Sequence, residues 1–146
     1  MEYTIRQVTA MIMQVEDKVG VLARVLEVLR QGGVDMVAFA SQRRRGTALM
    51  AIPNDLNTLR ELASDHGMSL SERQVFVVQG EDGVAALSEI AKRVAEAGIN
   101  IEDVAAMSVG GTYAAVFTFA DADLMAAAEA MGLEWPDEFW SSEPAD

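Results

Sequence analysis

The chain has 146 residues, 51% of them hydrophobic, and carries a formal net charge of −12 at neutral pH. That length and composition suit a globular protein with a real core, and the acidity weighs against nucleic acid and anionic membrane surfaces, whose affinity comes from Lys and Arg. The absence of cysteine removes disulfides, thiolate metal sites and thiol nucleophiles.

No apolar run is long enough to span a bilayer. The opening MEYTIRQ lacks the basic-then-apolar pattern of a signal peptide, so a cytoplasmic protein is expected.

In chain order, Val8–Val15 is apolar and nearly alternating, which predicts a half-buried strand. Glu16-Asp17-Lys18 breaks it, and Asp17 is placed to cap a helix running from about Gly20 to Gln31. Leu22, Val25, Leu26 and Leu29 recur at helical spacing and give that helix one apolar face. Gly32-Gly33 stops it. A second strand over Val34–Gln42 and a third over Thr47–Ile52 form a hairpin with Arg43-Arg44-Arg45-Gly46 at its tip. Those arginines are the one basic cluster, most simply a solvated turn. A second helix starts at Pro53-Asn54-Asp55, runs to about Asp65 and closes at His66-Gly67, where His66 has no partner that would make it a catalytic base.

Met68–Val78 is long, polar at first and then VFVV. It reads as two strands fused, the last of one unit and the first of the next. The order then repeats. A turn at Glu81-Asp82-Gly83 leads to a helix to about Ala97, strands over Ile99–Val109 and Thr112–Phe119, and a helix over Asp121–Met131 with Asp121 and Asp123 as candidate caps. A short last strand is expected near Leu133–Trp135, followed by an acidic tail whose Phe139 and Trp140 suit packing back onto the sheet.

The repetition is visible residue by residue at an offset of 65. Glu16 and Glu81, Asp17 and Asp82, Val19 and Val84, Leu22 and Leu87, Gly33 and Gly98, and Gly67 and Gly132 are identical in pairs, with no gap from Glu16 to Gly67. A duplication follows. The expected division is residues 1–71, 72–136 and a tail of 137–146. Each unit reads β-α-β-β-α-β, which is α+β and ferredoxin-like, with an antiparallel four-stranded sheet and two helices on one face.

The acidic turn before the first helix and the Gly-Ile-Asn-Ile after its repeat resemble the ACT domain, a small ferredoxin-like module that binds amino acids and regulates metabolic enzymes. Asp17-Lys18-Val19-Gly20-Val21-Leu22 matches the family's turn except for Val19 in place of proline. Asp82-Gly83-Val84-Ala85-Ala86-Leu87 departs further, with Ala85 where glycine is usual. Gly98-Ile99-Asn100-Ile101 matches the entry to the second strand, and Gly33-Val34-Asp35-Met36 is its weaker copy. The resemblance implies a tandem ACT protein whose domains pair side by side into one eight-stranded sheet. Ligand is then held between the first loop of one domain and the second-strand entry of the other.

On that basis the ligand-binding candidates are Asp17, Val19, Gly20, Val21, Asp35, Met36, Asp82, Val84, Ala85, Asn100 and Ile101. Free amides at the helix start behind Gly20 suit a carboxylate. Asn100 offers both a donor and an acceptor to a zwitterion, and Asp35 suits an ammonium. Each has a plainer reading, a capped helix start for Gly20 and a local turn for Asn100. Ala85 obstructs close approach of the backbone, so one competent and one degenerate site are expected. No P-loop, dinucleotide fingerprint or zinc spacing occurs.

The expected function is that of a non-enzymatic regulatory protein without a cofactor. Its partners would be an amino acid or related small molecule, a second copy of the chain as a homodimer, and a metabolic enzyme. The alternative is an interaction or oligomerisation module that has lost its ligand.

Overall fold

Alternating residues carry the first strand, β1, from Tyr3 to Val15, so it begins at Tyr3 rather than at Val8 as the apolar run alone predicted. The computed structural model describes residues 3–16, 18–34, 36–42, 47–81 and 83–133, with 36–42 and 47 by their backbone only. After β1 come α1 (Val21–Gln31), β2 (Met36–Gln42), β3 (Thr47–Pro53), α2 (Leu56–Asp65), β4 (Leu70–Gly80), α3 (Gly83–Glu96), β5 (Asp103–Val109), β6 (Thr112–Thr118), a short 3-10 turn (Asp121–Asp123) and α4 (Leu124–Ala130). The Arg43–Arg45 tip and the 137–146 tail lie outside the described residues. Of the last expected strand, Leu133 is in no strand and 134–135 lie outside the described residues.

The four α-helices among the described residues end alike. A glycine just past each helix takes a positive φ, and the next residue donates its N–H to the carbonyl five residues back: Val34 to Leu29 at 3.0 Å, Met68 to Ala63 at 2.8 Å, Ile99 to Val94 at 3.1 Å and Leu133 to Ala128 at 2.9 Å. This is the Schellman geometry, in which glycine turns the chain left-handed and an apolar residue is driven inward. Val34 and Ile99 are buried, and Met68 and Leu133 pack against the two cores. The repeated Gly33/Gly98 and Gly67/Gly132 are therefore repeated stops.

The described chain divides into two compact units, one formed by Thr9–Arg73 and the other by residues 74–133 together with Tyr3–Val8. In the Thr9–Arg73 unit the strands lie in the order β2-β3-β1-β4. Here β1 pairs antiparallel with β3 from Met11↔Ala51 to Val15↔Thr47, and β2 pairs antiparallel with β3, with an irregularity between Met36 and Ala38. Its core joins Met11, Met13, Leu49 and Ala51 of the sheet to Val25, Leu29 and Leu59 of the helices. Leu22 and Leu26, expected inward, are partly exposed instead. The 3.6-residue pitch places them beside the buried pair rather than beneath it.

In the other unit the order is β1-β4-β6-β5. Strand β4 pairs antiparallel with β6 from Phe76↔Phe117 to Gly80↔Tyr113, and β5 pairs with β6 from Asp103↔Thr118 to Val109↔Thr112. Phe76, Val78, Ala115 and Phe117 pack against Ala86, Ile90 and Val94 of α3 and Ala127 and Ala128 of α4. Tyr3 and Ile5 pack against this same core. The expected division at 71/72 thus differs from the contacts, which assign Tyr3–Val8 to the later unit and change over at Arg73/Gln74. The fused strand read at Met68–Val78 is one uninterrupted β4 serving both units. Each unit has the α+β, ferredoxin-like, ACT-type architecture.

Asp55 caps α2, its carboxylate accepting from the Thr58 N–H at 3.2 Å. The Thr58 hydrogen bonds hold its pKa below the ordinary value of 3.8. A depressed folded-state value means that the cap stabilises the fold above the unfolded pKa and is lost as pH falls through the folded one. Asp55→Asn is therefore expected to flatten the acid limb of the Tm-against-pH curve while leaving Tm near neutral pH almost unchanged, as differential scanning calorimetry would show. By contrast, Asp123, expected to cap the last helix, stands at the N-cap of α4 without a side-chain hydrogen bond, and Ala120, not Asp121, precedes the 3-10 turn.

Candidate ligand site

The turn before α1 is built from a short reversal. Lys18 N–H donates to the Glu16 carbonyl at 3.1 Å, and Val21 N–H to the Lys18 carbonyl at 3.3 Å. The Lys18 ammonium and Glu16 carboxylate meet at 2.8 Å in full solvent, a pair worth little to stability. Val19 is fully exposed at the apex. The N-cap is Gly20, left-handed at φ 88°, with no side-chain cap hydrogen bond; Asp17, expected in that role, lies outside the described residues. A Cβ placed on Gly20 would meet nothing within 4 Å. The space beside Gly20 is therefore open among the described residues, at a helix end that carries partial positive charge.

The second copy is built differently. Val21 corresponds to Ala86 in the repeat, yet α3 already begins at Gly83, three residues earlier. Alanine at 85 does not take the left-handed conformation that interrupts the first copy, so the helix continues back through it. Ala85 is half-buried inside α3 and Val84 is exposed. Gly83 closes against the Tyr113 ring, where a Cβ would come within 3.3 Å of Cγ. Asp82 lies outside the described residues.

The strand entries are set by the helix stops. Ile99 is buried behind Gly98, which leaves Asn100 exposed immediately after it; Ile101 is half-buried against the core. Glu102 N–H donates to the Thr118 carbonyl at 2.9 Å, and the Thr118 hydroxyl lies 3.3 Å from the Asp103 carboxylate, fixing the path into β5. Asp35 lies outside the described residues, and Met36 is described only as the first residue of β2.

None of the described ligand-binding candidates read from the sequence lines the described clefts. Two of these flank the carboxyl end of β4. One, of about 570 Å³, is lined by Gln79, Gly80, Glu81, Met107, Val109 and Thr112 among others. The other, of about 560 Å³, is lined by Tyr3, Thr4, Glu81, Glu89 and Arg93 and shares Gln79 and Gly80. Arg93 and Glu89 pair at 2.7 Å along α3. A third, of about 380 Å³ in the Thr9–Arg73 unit, holds the Arg60–Glu72 pair at 2.6 Å. The repeated Glu16/Glu81 was the one sequence signal near the first two. Its neighbours Gln79 and Gly80 carried none, lying between the expected strand end at Val78 and the expected turn at Glu81. Among the described residues no group of three His, Asp or Glu is placed to hold a metal ion, and no helix is long and apolar enough to cross a membrane.

Neither a protein-family model nor a curated protein matches the chain by sequence. Solved structures match it by fold. Protein BT0572 from Bacteroides thetaiotaomicron superposes with a TM-score of 0.73 at 16% identity, over 86% of this chain and 88% of that one. A chain from a structure of aspartokinase alpha and beta subunits superposes at 0.60 and 17% identity, over 95% and 97%. The regulatory subunit of aspartate kinase from Thermus flavus superposes at 0.56 and 18% identity, over 94% and 96%. At such identities the likeness is one of fold: the chain has, across nearly its whole length, the fold of a regulatory subunit of aspartate kinase.

Proposed function

We propose that this chain is a non-catalytic regulatory protein that binds an amino acid or related small molecule where ACT units pair, and that it passes the change to a metabolic enzyme or to its own homodimer. The observation that carries the reading is the Gly20 turn. Its left-handed glycine has open space around it among the described residues, at the start of α1 and beside a fully exposed Val19. Such an end suits a carboxylate, and Asn100 suits the remaining polar groups of a zwitterion. The likeness of fold to a regulatory subunit of aspartate kinase supports the same reading. The Ala85 turn, taken up into α3, supports the inference that one site of each pair is competent and the other degenerate.

The test is a thermal-shift screen of the twenty amino acids. A ligand at a hundred times its Kd stabilises the folded state by about 2.7 kcal/mol, which raises the Tm of a chain this size by several degrees. We expect such a shift for one chemical class, and its loss in both Gly20→Val and Asn100→Ala. The absence of any shift at millimolar concentration supports the second reading, a ligand-free interaction module. The observation favouring that one is the exposure of every residue of β5.

A further inference from the structure

Strand register lays out a groove across β4, β6 and β5. Phe76, Val78, Tyr113 and Ala115 alternate into the helix core, so Gln79 and Ala114 face away from it. Gln79 pairs with Ala114, and Ala114 pairs with Met107. One step further along the same face, Thr112 pairs with Val109. The small Ala114 is thus a floor between longer side chains on either side. This is the cleft of about 570 Å³ at the end of β4. Its two walls are unlike. Met107 and Val109, 72% and 67% exposed, present bare hydrocarbon on one side. Gln79 and Glu81 present polar groups on the other. Among the described residues lining the cleft Glu81 alone is charged, and it has neither an ion pair nor a hydrogen bond with another described residue. Arg93, in the adjoining cleft, is held by Glu89 at 2.7 Å. A largely apolar hollow with a few convergent polar groups is the usual form of a small-molecule site.

We propose that this groove binds a small organic cation: a primary amine on a slender apolar body. The ammonium sits at the Glu81 carboxylate and the Gln79 amide oxygen, and the body lies over Ala114 against Met107 and Val109. The donor count fits. An ammonium offers three N–H groups and accepts nothing. Glu81 and Gln79 supply acceptors, and the Thr112 hydroxyl, whose proton goes to the Val109 carbonyl at 3.1 Å, keeps its oxygen to accept as well. Charge selects the class. A carboxylate or phosphate would meet Glu81 with no cation to offset it, whereas the net charge of −12 draws cations toward the chain. Methionine's flexible, polarisable side chain adapts to bodies of different outline, so the apolar wall sets size loosely and Glu81 sets the charge. The groove lies within one unit and shares no residue with the Gly20 turn or Asn100. It is therefore a site additional to the one read above and does not depend on it.

The probe is phenethylamine, titrated into the full, isotope-labelled chain with backbone amide shifts as the readout. Phenethyl alcohol and hydrocinnamate share its apolar body and replace the cation with a neutral and an anionic end. Saturable shifts confined to Gln79–Glu81, Met107–Val109 and Thr112–Ala114 are expected for the amine. The alcohol should bind about tenfold or more weakly, the size of one hydrogen bond to a charged group, and hydrocinnamate should give no localised shift. Glu81→Gln should weaken the amine by about the same factor and leave the alcohol unchanged. Met107→Ser should weaken both. Glu81 and Met107 are exposed, so both variants should keep the parent circular-dichroism spectrum. Gly20→Val should leave the titration unchanged. Shifts spread evenly over the acidic surface, with methylamine as effective as the probe, would overturn the proposal. So would equal binding of amine and alcohol, an amine affinity indifferent to Glu81→Gln, or its loss in Gly20→Val. The thermal-shift screen of amino acids is a separate measurement, so either reading can fail while the other stands.

Discussion

Phe76→Ala is expected to lower the stability of the chain by about 3–5 kcal/mol, the range for emptying a fully buried aromatic site. Phe76 is 0% exposed. It stands on β4 opposite Phe117 of β6 and meets the Phe119 ring edge-on, with centroids 5.6 Å apart and planes at 74°. Around it pack Ile90 and Val94 of α3 and the small Ala127 and Ala128 of α4. Alanines bring α4 close to the sheet, and a large ring fills the space; removing the ring leaves a cavity that a helix already in close contact cannot collapse into. The edge-to-face pair contributes roughly 0.5–1.5 kcal/mol beyond area burial. Urea unfolding would measure the loss. The double variant with Phe119→Ala should be clearly less destabilised than the sum of the singles, because the two rings share one contact. A loss below about 1 kcal/mol would contradict the packing, since only a site able to collapse escapes the cavity penalty.

Deleting residues 1–8 is expected to have the next largest effect, and an unequal one. The unit of Thr9–Arg73 keeps all of its elements. The other unit loses its fourth strand, Tyr3–Val8, together with Tyr3 and Ile5 from its core. Three strands with two helices on one face then leave β4 with an unpaired edge and a gap over its inward residues. Amide hydrogen exchange should show protection falling by orders of magnitude in α3, β5, β6 and α4, while α1 and α2 change little. Had the later unit used its own residues beyond Leu133 as a fourth strand, as the repeat pattern suggested, the deletion would leave that protection intact. The experiment therefore decides between the two arrangements directly.

The two halves of the sequence explain why one could be read more easily than the other. The offset of 65, the glycine stops and the alternation of β1 are local patterns, and each leads to a local outcome: like helix endings and a β-α-β-β-α order in both halves of the described chain. The difference between the two turns was also legible. Glycine at 20 against alanine at 85 forecast unlike backbones, and the helices do start at unlike places. What was not legible was the length of β1. Thr4 and Arg6 alternate with Tyr3 and Ile5 as an edge strand's residues would, but a polar half of a strand gives no sign of which sheet it will join.

By itself, then, the sequence determined the elements, their stops, the doubling and the place of each turn. These depend on backbone conformation and on which residues within a few positions of one another can be buried together. Only the tertiary structure decided that Tyr3–Val8 completes the later unit, that Gln79–Glu81 borders two clefts, and that β5 is left bare along its whole length. Those outcomes depend on pairing between strands some 70 residues apart, where the free energy comes from matching surfaces that no local pattern records.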